Sequence, residues 1–262
     1  MSKKREHHKL FMVGSDAPFQ FTEAYKSLRT NLEFLAATSD CKTILITSSV
    51  PGEGKSNVAV NLAITLADSG KRVVLVDCDM RKSTISRYLH IPRDHIGITN
   101  TITGKDRTQL ANALVNFKDL GIVVLPVGTI PPNPSELLAT KAMENTFEAL
   151  KQVYDYIIVD NVPAGMVADA SIVNRVADLT IFVVRSGVMD RRQLPELEKM
   201  YREEQLRNMS VILNGVSYER KGYGYGYGYG YGYGYGYGND THRHKRGKLE
   251  SIKRTVFRFL KR

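Results

Sequence analysis

The segment Ser48-Ser-Val-Pro-Gly-Glu-Gly-Lys-Ser56 lies between a short β-branched run and a helical pattern, and its residue types suit phosphate binding. It fits G-x-x-x-x-G-K-[ST] in the strand-then-helix context that gives this motif meaning, with Ser49 where the motif prefers glycine. Gly52 and Gly54 let backbone N–H groups turn toward phosphate oxygens, and the following helix presents its positive end. Lys55 reaches the outer phosphates and Ser56 is a candidate ligand for Mg²⁺. Pro51, Glu53 and Asn57, together with Asn214 at the end of the last apolar run, complete the expected nucleotide contacts, with ATP and Mg²⁺ as the implied cofactors. A glycine-rich turn with an incidental lysine is the competing reading, and the flanking elements weaken it.

Two further apolar runs end in acids: Asp77-Cys-Asp-Met-Arg81 and Ile157-Ile-Val-Asp160, the latter in the form of a Walker B strand. At the carboxyl edge of a parallel sheet, Asp77, Asp79 and Asp160 would converge on a metal at the phosphate loop. Three carboxylates repel one another, and Mg²⁺ with Lys55 or Arg81 would relieve that repulsion.

These residues need a sheet to hold them. Six runs supply it: Thr43–Thr47, Arg72–Asp77, Gly121–Leu125, Tyr156–Asp160, Leu179–Val184 and Ser210–Asn214. Their continuous apolar character means that both faces are covered, so the expected fold is α/β, a doubly wound and mostly parallel sheet with helices on each side. Asn133-Pro-Ser-Glu136 reads as a capped helix start, the helix running toward Tyr154.

Length and composition agree with one large domain plus a tail: 262 residues, 42% hydrophobic and 24% charged. No apolar run approaches the ~18 residues of a membrane span. No signal-peptide pattern follows Met1, which predicts a cytoplasmic protein. The two cysteines, Cys41 and Cys78, have no metal-ligand spacing and suit a reducing compartment. The net charge of +10 resides at the ends, because acids and bases cancel between residues 11 and 238. The globular part therefore gives no argument for nucleic acid as a partner.

After Ser217 the pattern stops. Glycine alternates with Tyr223, Tyr225, Tyr227, Tyr229, Tyr231, Tyr233, Tyr235 and Tyr237, a low-complexity row whose glycines make ordering costly; it is expected to be disordered when free. A phenol of pKa about 10 attacks a phosphoryl group only with a base nearby, and Asp77 is a candidate. Modification of the whole row would reverse the sign of the chain's charge, a switch suited to controlling assembly. Beyond the row, Leu249, Ile252, Val256, Phe257, Phe259 and Leu260 share one side of a helical wheel, with Arg254, Arg258, Lys261 and Arg262 mostly opposite. Such a basic amphipathic helix suits an anionic membrane surface, an acidic protein partner being the close competitor.

The phosphate loop, the D-x-D-x-R motif, the Walker B strand and the tyrosine row together resemble the bacterial tyrosine kinases of capsule and exopolysaccharide synthesis, over roughly residues 15 to 238. The resemblance implies that Lys55 holds phosphates, that Ser56, Asp79 and Asp160 bind or orient Mg²⁺, that Asp77 helps to take the tyrosine's proton, and that Arg81 belongs to the catalytic set. Glu23-Ala-Tyr-Lys26-Ser-Leu-Arg29 is similar to the family's oligomerisation motif E-x-x-R-x-x-R, with lysine for the first arginine; lysine lacks the bidentate fork. Asn161-Val-Pro163 departs from the Pro-Pro pair common after the Walker B acid. The implied organisation is an N-terminal arm (1–18), a kinase domain (19–218), an acceptor tail (219–238) and a basic amphipathic segment (239–262). Implied partners are a transmembrane activator or polysaccharide co-polymerase on a separate chain, a cognate tyrosine phosphatase, sugar-nucleotide enzymes and further copies in a ring, at the inner face of the plasma membrane. The rival expectation is a switch ATPase of the partitioning or division-site type, which binds membrane or DNA through its tail. That group usually carries an extra lysine where this chain has Val50, and it gives the tyrosines no purpose.

Overall fold

Alternate residues of the central strands enter different cores, which is why their sequences read as unbroken apolar runs. Ile44 and Ile46 pack into one cluster and Leu45 into another; Leu75 and Ile158 follow the first pair, and Val74, Val76, Ile157 and Val159 follow Leu45. The computed structural model describes residues 12–14, 16–37, 40–104, 109–165 and 169–216. All lie in the first of two units into which the chain divides, residues 1–217 and 218–262. The tyrosine row, the basic amphipathic segment and most of the N-terminal arm lie outside the described residues.

The strands are β1 (Thr43–Ser48), β2 (Val73–Asp77), β3 (Val115–Phe117), β4 (Ile122–Leu125), β5 (Tyr156–Asp160), β6 (Leu179–Arg185) and β7 (Met209–Asn214). They form a seven-stranded sheet in the order β3-β4-β2-β5-β1-β6-β7. All neighbours are parallel except β3 with β4. The six expected strands are present. The seventh, β3, is a three-residue antiparallel edge whose middle residue is exposed, too short and too polar to stand out as an apolar run.

The helices among the described residues are α1 (Phe19–Ala37), α2 (Lys55–Asp68), α3 (Ile85–Tyr88), α4 (Ile98–Thr103), α5 (Leu110–Ala113), α6 (Pro134–Leu138), α7 (Lys141–Val153), α8 (Asp169–Val173) and α9 (Leu194–Arg202). The first core lies on the side of α1 and α2; the second is closed by residues of α4, α7 and α8. The single helix expected from Asn133 to Tyr154 is two helices. Thr140 divides them: its hydroxyl accepts from the Met143 N–H at 3.3 Å and caps α7, offering the backbone an alternative to continuing α6. Pro134 opens α6 as expected, but Asn133 spends its side-chain amide on Glu136 Oε2 rather than on the helix backbone.

The topology brings the chemistry together. β2, β5 and β1 are consecutive in the sheet, Asp77 is the register partner of Asp160, and β1 leads into the phosphate loop. Phe147, fully buried in the second core from α7, is the largest side chain holding that face closed. Phe147→Ala should cost about 3–5 kcal/mol of unfolding free energy, read from the denaturant midpoint at unchanged slope.

Candidate active site

The phosphate loop is held open by its own glutamate. Glu53 is fully buried; its Oε2 accepts the N–H groups of Ser49 at 2.7 Å and Val50 at 2.9 Å, and its Oε1 accepts that of Arg185 at 3.3 Å. Gly52 and Gly54 take φ of +89° and +92°, a region closed to most side chains. From β7, Asn214 donates to the Glu53 carbonyl at 2.8 Å, and Arg185 of β6 donates to the Gly52 carbonyl at 3.2 Å. Pro51 is exposed beside them. Asn57 turns its side chain the other way, accepting from the buried Tyr25 hydroxyl of α1 at 3.2 Å.

Lys55 opens α2 and enters the acids. Its Nζ lies 3.2 Å from Asp79 Oδ2 and 3.9 Å from Asp160 Oδ1. Burial works to lower the lysine pKa, but Asp160, Asp79 and Asp77 outweigh it and hold the ammonium charged. Asp77 is fully buried; Oδ1 accepts from the Asp79 N–H at 3.1 Å and Oδ2 from the Ser83 hydroxyl at 2.6 Å. Burial, followed by the Asp160 charge, pushes its pKa up to about 8. Asp160 is raised for the same first reason, against the Lys55 charge and the nearby Ser56 hydroxyl. Asp79 Oδ1 accepts from the Lys82 N–H at 2.9 Å, and Thr84 donates to Ser56 Oγ at 2.8 Å.

Both oxygens of the fully buried Asp160 lack a hydrogen-bond partner among the described residues. A buried carboxylate left bare, beside a second carboxylate and a serine hydroxyl, is a donor set that fits Mg²⁺. Among the described residues no three His, Cys, Asp or Glu side chains could hold a metal by themselves.

Arg81 lies elsewhere than the spacing suggests. Its guanidinium forks onto Asp169 at 2.7 and 3.1 Å and onto Ser135 Oγ at 3.1 Å, so Lys55 is the cation that neutralises the acids. Asp169, Ser135, Ser83 and Thr84 escaped sequence reasoning; no local pattern marks them, because each matters through a partner distant in the chain or through a plain hydroxyl. On α1, Lys26 pairs with Glu23 at 2.8 Å, while Arg29 leaves that pair and donates to the Thr65 carbonyl of α2 at 3.2 Å.

Residues 41–203 match the family model described as an AAA domain. The chain is 37% identical over 194 residues to the tyrosine-protein kinase YwqD of Bacillus subtilis (strain 168), covering 74% of this chain and 81% of that relative. It is 33% identical to the tyrosine-protein kinase etk of Escherichia coli (strain K12), again over 74% of this chain but only 26% of that longer relative. The solved kinase domain of the Escherichia coli tyrosine kinase ETK is similar with a TM-score of 0.70 at 32% identity, over 78% of this chain and 80% of that one. The septum site-determining protein MinD of Pyrococcus horikoshii OT3, complexed with Mg-ADP, has a TM-score of 0.54 at 22% identity over 66% of this chain and 69% of that one, a likeness of fold alone.

Two predictions come from this geometry. A Cβ on Gly54 would stand 2.3 Å from Asn214 Nδ2 on a backbone of positive φ. With strain of about 1–3 kcal/mol, Gly54→Ala should weaken ADP binding about tenfold, measured with a fluorescent ADP analogue. The second concerns pH. Asp77 binds its proton more tightly folded than unfolded, so its contribution to stability is complete below the ordinary 3.8 and is lost as pH rises toward about 8. The nucleotide-free chain in EDTA should melt at falling temperature from about pH 5 to 8, and Asp77→Asn should flatten that slope.

Proposed function

The chain belongs to the bacterial tyrosine-protein kinases, and on that premise we propose that its phosphoryl acceptors are the tyrosines of its own C-terminal row, Tyr223 through Tyr237. The observation that carries the reading is Lys55 held between Asp79 and Asp160 at the mouth of a braced phosphate loop. In this reading the loop's N–H groups and Lys55 bind the phosphates of ATP. Ser56, Asp79 and Asp160 hold Mg²⁺, which when bound neutralises charge on the phosphates. The tyrosine oxygen forms the new bond to the γ-phosphorus as the bond to ADP breaks, and the phenolic proton leaves toward Asp77. Asp77 is fully buried and Ser83 only partly so, so this proton passes through the Ser83 hydroxyl, 2.6 Å from Asp77 Oδ2. Asp77 accepts that proton only when ionised; a cation at Asp160 would remove part of the charge that raises its pKa and favour the ionised form.

The same reading places the kinase in the control of capsular or exopolysaccharide synthesis, peripheral to the inner face of the plasma membrane. Its partners there would be a transmembrane activator on a separate chain, a tyrosine phosphatase that resets the tail, sugar-nucleotide enzymes as further substrates, and other copies in a ring. Among the described residues no helix is long and apolar enough to cross a membrane. The switch-ATPase reading shares the fold but has Val50 where its lysine is usual, and the chain's family is the kinase one.

Incubation of the full chain with Mg·ATP, followed by mass spectrometry of the tail peptide, is the test. Phosphate should appear on residues 223–237, and Lys55→Met should abolish it. Nucleotide consumed while that peptide stays unlabelled would defeat the proposal.

A further inference from the structure

The two loops that carry the acids are tied together by an ion pair remote from the phosphates. Arg81 stands at the end of the D-C-D-M-R segment that follows β2. Asp169 opens α8, on the chain that follows β5. The guanidinium presents Nε and Nη2 to the two oxygens of Asp169, a planar fork on a carboxylate. Ser135 closes the triangle, donating to Asp169 Oδ1 at 2.5 Å while accepting from Arg81 Nη2. The Asp169 side chain is 1% exposed and the Arg81 side chain 43%. Burial works against the Asp169 charge, yet the Arg81 and Ser135 hydrogen bonds carry its pKa below the ordinary value.

The anchor is stiff because its supports are core. Ala170 and Val173 of α8 and Leu138 of α6 are buried, and α6 packs on α8. From Arg81 the turn runs on through contacts that all end in the site: the Lys82 N–H on Asp79, the Ser83 hydroxyl on Asp77, and the Thr84 hydroxyl on Ser56. The phosphate loop is braced separately, by Glu53 and Asn214.

We propose that Asp169, with Ser135, is a positioning residue for phosphoryl transfer: it holds Arg81, and thereby fixes the turn that brings Asp79 to Lys55 and Thr84 to Ser56. The inference rests on the kinase activity of the chain. The loop's own braces make it specific: freeing the turn slows transfer, while Glu53 and Asn214 still hold the loop backbone that cradles the nucleotide. Because the Asp169 carboxylate is buried, its loss would cost stability in any role, so the discriminating readout is where exchange and rate change rather than stability itself.

The experiment uses the full chain carrying Asp169→Asn, with two readouts. Hydrogen exchange in the peptide spanning 77–84 should quicken about fivefold while the peptide spanning 49–57 is unchanged. The rate of phosphotyrosine formation at saturating Mg·ATP should fall about tenfold, with the affinity for a fluorescent ADP analogue within about twofold of the parent. Asp169→Glu, which keeps the charge, should recover most of the rate. Unchanged exchange, an unchanged rate, or an equal loss of ADP affinity would overturn the proposal. If Asp169→Asn does not fold, Ser135→Ala is measured in its place: a smaller change of the same pattern supports the proposal and no change overturns it. A parent chain that labels no tyrosine would instead count against the tail reading, and the exchange measurement would still decide this one.

Discussion

The site depends on one ammonium group among three carboxylates. Asp77, Asp79 and Asp160 meet because β2 and β5 are neighbours, and without a cation their mutual repulsion would force protons onto them or push them apart. Lys55 supplies that cation from the first turn of α2, which is also the helix that presents its positive end to phosphate. One residue thus offsets the carboxylates' repulsion and stands at the helix end that faces phosphate. Asp160 shows that the compensation is incomplete: Lys55 approaches it only to 3.9 Å, neither of its oxygens has a hydrogen-bond partner among the described residues, and burial keeps its pKa high.

How much of this could be read from the chain depended on distance along it. The phosphate loop and the acids at the ends of β2 and β5 are each written in consecutive residues, so composition and neighbours sufficed to find them. Arg81 was found by the same logic, but its partners Asp169 and Ser135 are joined to it only by the fold, and no spacing announces them. Glu53 illustrates a different limit. From the sequence it is an expected nucleotide contact, whereas its carboxylate is buried and serves as the loop's internal acceptor. The central strands were legible because two covered faces demand continuous apolar runs. β3 was not, since an edge strand of three residues buries too little to be patterned, and the break at Thr140 was hidden because one threonine inside a helix costs less than about 1 kcal/mol, too little to announce a boundary.

The loops around the site are braced by different means, and the difference matters for what may move. The phosphate loop is held by a buried glutamate and by an amide from β7, contacts made within strands and tight turns. The turn after β2 is held by a chain of hydroxyl and carboxylate contacts that ends on two short helices. The loop backbone and the turn that places Asp79 thus have different supports along one sheet edge and meet at Lys55 and Ser56.

Arg29 offers a consequence for α1, which packs on α2. Its guanidinium donates to the Thr65 carbonyl within the same chain, and its neighbours Glu23 and Lys26 pair with each other, so these three charged side chains of α1 make contacts inside the chain. What the helix leaves bare is greasy: Phe19 and Phe34 are 78% and 71% exposed. Contact between copies through this helix would then be governed by fit and dehydration, and raising the ionic strength would do little to loosen it.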